Sequence, residues 1–215
     1  MDTANLYLFI GASLVMLITP GPAVMYIVAR SLEQGRKAGL LSVLGIQVGV
    51  VVHILAAALG LSALLMTSAL AYGVVKYAGA AYLIYLGISK LMQRGAAAPV
   101  PEAAGAARTP GALSKVFWQG TVVAILNPKT ALFFLAFLPQ FVNPANGWVA
   151  GQIVALGLLF AVMATITDGT WALVAGSSRG LLLNSRRYVQ SERYVTGSVL
   201  IGLGLATALA GRNGK

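Results

Sequence analysis

Two proline breaks, one lysine and one aspartate are the groups in this chain whose type and setting could do chemistry. Thr19-Pro20-Gly21-Pro22 lies in a stretch without a charged residue from position 3 to 29, and Asn127-Pro128-Lys129 lies in a similar apolar stretch of the second half. Proline removes a backbone donor and blocks the preceding turn. In hydrocarbon such a break is tolerated only where it faces protein or a water-filled cavity. Thr-Pro and Asn-Pro each read as an N-cap followed by proline at the first helical position. The pattern predicts two helices that restart in mid-membrane, each offering unpaired N–H groups and about half a positive charge. Such an end suits a carboxylate or another anion. Lys129 would hold that carboxylate or pair with Asp168, the one acidic residue inside an apolar span. A carboxylate at membrane depth costs about 2.5–3.5 kcal/mol and marks an ion or proton path. At 1.5 Å per residue, Asp168 falls about 16 Å from Arg179, Pro20 about 15 Å from Arg30 and Pro128 about 20 Å from Lys115, all in one slab. Gln47 and His53 are secondary candidates, six residues apart and so not on one helical face. His53 would relay protons or serve as a hydrogen-bonded packing residue. One histidine and no cysteine leave no metal site, disulfide or thiol relay.

The elements that must position these groups are membrane helices. The chain is 58% hydrophobic and 9% charged with mean hydropathy +0.83, a membrane composition. Its net charge of +10 does not indicate nucleic acid, because the basic residues cluster between apolar runs. A crossing needs about 20 apolar residues, and six such runs are present: 5–29, 40–66, 69–92, 116–138, 149–176 and 194–210. The first is read as a retained helix, since no basic segment precedes it. Arg30, Arg36, Lys37, Lys90, Arg94, Arg108, Lys115, Arg179, Arg186, Arg187 and Arg193 fall on one side, eleven of the fifteen basic residues. That side is the cytoplasm, so both termini are expected outside. Residues 95–114, rich in Ala and Pro, read as a flexible cytoplasmic linker between repeats at 1–94 and 115–215 within one transmembrane domain. The halves match in order: Thr19-Pro20 with Asn127-Pro128, Ala38-Gly39 with Ala150-Gly151, and Lys76-Tyr77 with Arg193-Tyr194. Three spans per half make the repeat inverted, with the first and fourth helices broken and facing each other. Small-residue steps such as Gly35 to Gly39, Gly45 to Gly49, and Gly197, Gly202 and Gly204 permit close helix approach, and with it a homodimer.

Ile18-Thr19-Pro20-Gly21-Pro22, the loop Ser31-Leu32 to Gly35-Arg36 and Ala38-Gly39, and Asn127-Pro128-Lys129 followed by Phe133-Phe134 and Phe137-Leu138-Pro139-Gln140-Phe141 resemble the LysE/RhtB family of bacterial amino-acid exporters. The resemblance covers nearly the whole chain. It implies an inner-membrane efflux carrier for amino acids or their derivatives, driven by proton antiport, without cofactor and without catalysis. The implied substrate site comprises Thr19, Pro20, Gly21, Pro22, Asn127, Pro128 and Lys129, with Asp168 for proton coupling. Gln47 stands where some relatives look more acidic. The alternatives are a small-ion or metal-cation exporter of the same superfamily, a membrane-embedded enzyme and an assembly subunit without transport. An enzyme would need a catalytic cluster, which one buried acid and one histidine do not make.

Overall fold

The computed structural model describes residues 3–61, 69–92, 112–177 and 186–209, and among these the regular structure is entirely helical. Helices α1 (Thr3–Ile18) and α2 (Pro22–Gln34) form a pair bent by 48° at the first proline break. Gly35, with φ 86°, turns the chain into α3 (Arg36–Ala56), which ends in one π-helical turn, Ala57–Leu61. Helix α4 (Ala69–Met92) completes the first half. In the second half, α5 (Ala112–Ile125) and α6 (Pro128–Leu132) meet at the other break. Helix α6 runs on as a π turn, Phe133–Phe137, and a 3-10 turn, Leu138–Phe141, and this pair is bent by 46°. A short 3-10 turn, Pro144–Asn146, leads to α7 (Val149–Ser177), and α8 (Arg186–Leu209) follows.

Among the described residues two helices, Arg36–Gly60 and Val149–Ser177, are long and apolar enough to cross a bilayer, and each bent pair qualifies as one further span. Helices α4 and α8 have 24 residues each, about 36 Å of helix. Their apolar parts, Gly73–Ser89 and Gly197–Leu209, are shorter: Lys90 follows the first, which also contains Lys76, and the Arg186, Arg187, Glu192, Arg193 group precedes the second. Most of the expected linker at 95–114, the end of the expected second span at 62–66 and Arg179 lie outside the described residues.

Lipid tails are as apolar as leucine, so helix association in a bilayer rests on close packing and hydrogen bonds more than on water exclusion. The backbone contacts follow that rule. Helix α3 lies against α5 through Gly45 and Gly49: a Cβ on Gly49 would stand 3.0 Å from the Thr121 carbonyl. The Thr121 hydroxyl donates across the same seam to the Gly45 carbonyl at 3.0 Å. Against α7, a Cβ on Gly39 would meet that of Ala172 at 3.1 Å, and one on Gly157 would stand 2.7 Å from Ile54. Helices α4 and α8 cross at a reciprocal pair: a Cβ on Gly87 would be 2.7 Å from the Gly197 carbonyl, and one on Gly197 would be 2.9 Å from the Gly87 carbonyl. The glycine faces expected to allow a homodimer are thus largely taken up within the chain. Leu8, Val15, Leu44, Val48, Leu55, Val162 and Ile166 are exposed on the outside of α1, α3 and α7. An apolar exterior of this extent fits hydrocarbon as the surrounding solvent.

Candidate functional site

The two breaks meet. Pro128 opens α6, and the Asn127 side chain caps it by accepting from the Lys129 backbone N–H at 3.1 Å. The second restart is therefore built as its sequence predicts. The first is not. Helix α2 begins at Pro22 with Gly21 at the N-cap and no side-chain cap. Thr19 looks the other way: its hydroxyl donates to the Val15 carbonyl at 2.6 Å, tying off the end of α1. Pro20 and Gly21 put two residues between that threonine and the helix start, too far for a cap to reach.

The Lys129 ammonium bridges the breaks. Its Nζ donates to the Thr19 carbonyl at 2.7 Å, across 110 residues of sequence. That carbonyl belongs to the C-terminal end of α1, where unpaired C=O groups and the helix dipole favour a cation. Gly21 leaves room for it, since a Cβ there would stand 3.3 Å from Nζ. Lys129 is 9% exposed and Asp168 4%, and both line a cavity of about 40 Å³ between α1, α2, α3, α6 and α7. Gly21, Asn127, Thr130 and Phe160 also line it. Among the described residues no group donates a hydrogen bond to Asp168, although the Lys129 charge acts on it. About 40 Å³ of such space holds roughly three waters, which is the size of a charged head group.

Gln47 and His53 stand apart from this cluster. The His53 Nε2 lies 3.0 Å from the Ala124 carbonyl, and its ring stacks on Phe134 at 6.0 Å, a packing role. Gln47 sits between Ile46 and Val50, which do line the cavity, but its own amide is enclosed without a hydrogen-bond partner. An enclosed, unpaired amide is uncommon in a folded protein.

Two features escaped sequence reasoning. Arg30, counted as a loop cation, is 2% exposed. It lies over the Tyr26 ring at 5.2 Å and donates to Gln119 at 3.0 Å and to Glu33 at 3.2 Å. The Tyr26 hydroxyl in turn donates to the Val116 carbonyl at 2.8 Å, so this group clasps α2 to α5. Its signal was the spacing: Tyr26, Arg30 and Glu33 are four and three apart, on one helical face. The second feature is an aromatic cluster beyond Phe160, with Phe133 4.6 Å from the Phe160 ring and Phe9 6.0 Å from Phe133. Phe160 joins this cluster to the lining of the cavity.

The profile of the family described as LysE type translocator matches residues 14–211. The chain is similar to the membrane protein YrhP of Bacillus subtilis, 30% identical over 210 residues, which are 96% of this chain and 99% of that one. It is also similar to the homoserine/homoserine lactone efflux protein of Salmonella typhimurium, 30% identical over 169 residues, 79% of each chain. No solved structure is a match. A broken-helix pair enclosing a charged cavity, in a chain whose profile match runs almost end to end, places it plainly: the protein belongs to the LysE type translocators, membrane transporters rather than enzymes.

Proposed function

We propose that this chain is a secondary exporter of amino acids or their derivatives across the bacterial inner membrane, driven by proton antiport. The observation that carries the reading is the placing of Lys129 and Asp168 on one cavity between two helix breaks. Broken helices meeting at a polar cavity are the recurrent architecture of substrate sites in carriers built from inverted repeats. The near-equal bends of 48° and 46°, the pairing of α3 with α7 and the reciprocal crossing of α4 with α8 support such a repeat and six spans. In this reading Thr19, Pro20, Gly21 and Pro22 form one wall of the site and Asn127, Pro128 and Lys129 the other. Lys129 receives the cargo carboxylate, and Asp168 exchanges a proton as the halves rock. Relatives named for homoserine and homoserine lactone efflux support a small amino-acid-like cargo.

The test is counterflow in proteoliposomes loaded in turn with each of a panel of amino acids. At least one is expected to exchange, and an imposed proton gradient is expected to concentrate it. Asp168→Asn is expected to exchange only at raised cargo concentration and, even at saturating cargo, to lose gradient-driven accumulation by about 10-fold or more, on the scale of a lost charge-assisted interaction of about 1.5 kcal/mol. Accumulation by that variant at the wild-type level would overturn the coupling role, and no exchange with any amino acid would overturn the cargo class.

A further inference from the structure

We infer that the Thr19 carbonyl and Asp168 together form a subsite for a primary ammonium group of the cargo, and that the Lys129 ammonium is its built-in occupant. The geometry is already that of an ammonium complex, with Nζ 2.7 Å from the Thr19 carbonyl oxygen, a charge-assisted distance. The acceptor lies at the negative end of α1, where a cation is favoured. Gly21 keeps the seat open, because any Cβ would press on Nζ from 3.3 Å. Asp168 supplies the independent observation. It is 4% exposed, lines the same cavity and accepts no hydrogen bond among the described residues. A buried carboxylate without a donor is costly, and N–H groups delivered by a guest satisfy it.

Loading is then an exchange of partners. The cargo ammonium takes the Thr19 carbonyl and Asp168, and the displaced Lys129 ammonium turns to the cargo carboxylate. A proton arriving at Asp168 removes the negative charge that holds the ammonium, so proton and cargo compete for one group, as antiport requires. The carboxylate half of this scheme rests on the amino-acid reading above. The ammonium subsite does not, and it is tested without transport.

The experiment measures the melting temperature of full-length purified protein. Lys129→Met removes the terminal nitrogen and nearly keeps the length, and Lys129→Ala clears the whole channel. Ammonium chloride is expected to raise the melting temperature of Lys129→Met saturably, by about 3–6 °C at ten times its half-saturating concentration. Ethylammonium is expected to do the same for Lys129→Ala. Wild type, whose own Nζ holds the place, is expected to respond to neither, and sodium or tetramethylammonium at equal ionic strength is expected to act on none. Adding Asp168→Asn is expected to weaken half-saturation by about 10-fold or more. No saturable shift in either variant, or an equal shift in wild type, would overturn the subsite. If Lys129→Ala does not fold, Lys129→Met carries the same readout. In intact wild type, N-acetylation of any amino acid that exchanges is expected to abolish its exchange while the amide retains it, and the reverse order would also overturn the subsite. Ammonium rescue without amino-acid exchange would sink only the cargo class, and exchange without rescue would sink only the subsite.

Discussion

The Asn127 side chain holds the start of α6, and the Thr19 side chain holds the end of α1. Removing the first leaves an orphan N–H in a lipid-enclosed site. Asn127→Ala is therefore expected to lower stability by about 1 kcal/mol, the usual worth of a lost N-cap, and the melting temperature by about 2–4 °C. Asn127→Asp, which keeps an acceptor, is expected to restore most of it. Thr19→Val is expected to stay within about 0.5 kcal/mol, because the Val15 carbonyl still receives the Thr19 backbone N–H at 3.2 Å. A loss of equal size in both variants would show that the Thr19 hydroxyl holds more than the end of α1. At this scale the sequence singled out Gly21, Asn127, Lys129 and Asp168, which line the cavity, along with Thr19, Pro20, Pro22, Gln47 and His53, which do not, and it did not show how any of them bond. Both X-Pro pairs signal a restart, and only the extra Gly21-Pro22 step separates a cap that reaches from one that does not. Lys129 on the Thr19 carbonyl could not be read from either segment alone, since the bond joins groups 110 positions apart.

Among the elements, α4 and α8 are held by backbone approach at Gly87 and Gly197. Gly87→Ala or Gly197→Ala puts a methyl against a carbonyl of the facing helix, and neither backbone can yield alone. Each is expected to destabilise by about 1–3 kcal/mol, the range for overpacking. Gly202→Ala, with nothing within 4 Å of its Cβ, is expected to be neutral or to stabilise by up to about 1 kcal/mol through helix propensity. Thermal unfolding of the three variants side by side checks the contrast, and equal effects would remove the crossing from that position. The proline breaks were legible because proline acts locally, through a missing donor and a ring clash. The glycine crossings were not, because with 25 glycines in the chain only the facing helix selects which of them matter. The π and 3-10 turns after Leu132 were equally hidden. Nothing local in Phe-Phe-Leu-Ala-Phe forbids an α-helix, and the irregular backbone accompanies the packing of Phe133 against Phe9 and Phe160, of Phe134 against Phe160 and of Phe137 against Phe133 and Phe141.

For the molecule as a whole, the charge bias survives the burial of Arg30, since ten basic residues still lie on the expected cytoplasmic side and the 139–147 connection has none. Moving such loops across an energised membrane is opposed, which is the physical content of the positive-inside bias. Six spans also require α4 to cross, although its unbroken apolar part is short. Both points meet in one measurement. Lys37 and Ala145 are exposed, and between them lie α3, α4 and the bent pair of α5 with α6. Three crossings put them on opposite faces, and two put them on the same face. The chain has no cysteine, so Lys37→Cys and Ala145→Cys each carry a single thiol. A membrane-impermeant maleimide is expected to label Ala145→Cys in intact spheroplasts and Lys37→Cys only in inside-out vesicles. Labelling of both from one face would show that α4 does not cross, and the inverted repeat would fall with it. The opposite pattern would keep six spans and turn the molecule over, placing both termini in the cytoplasm.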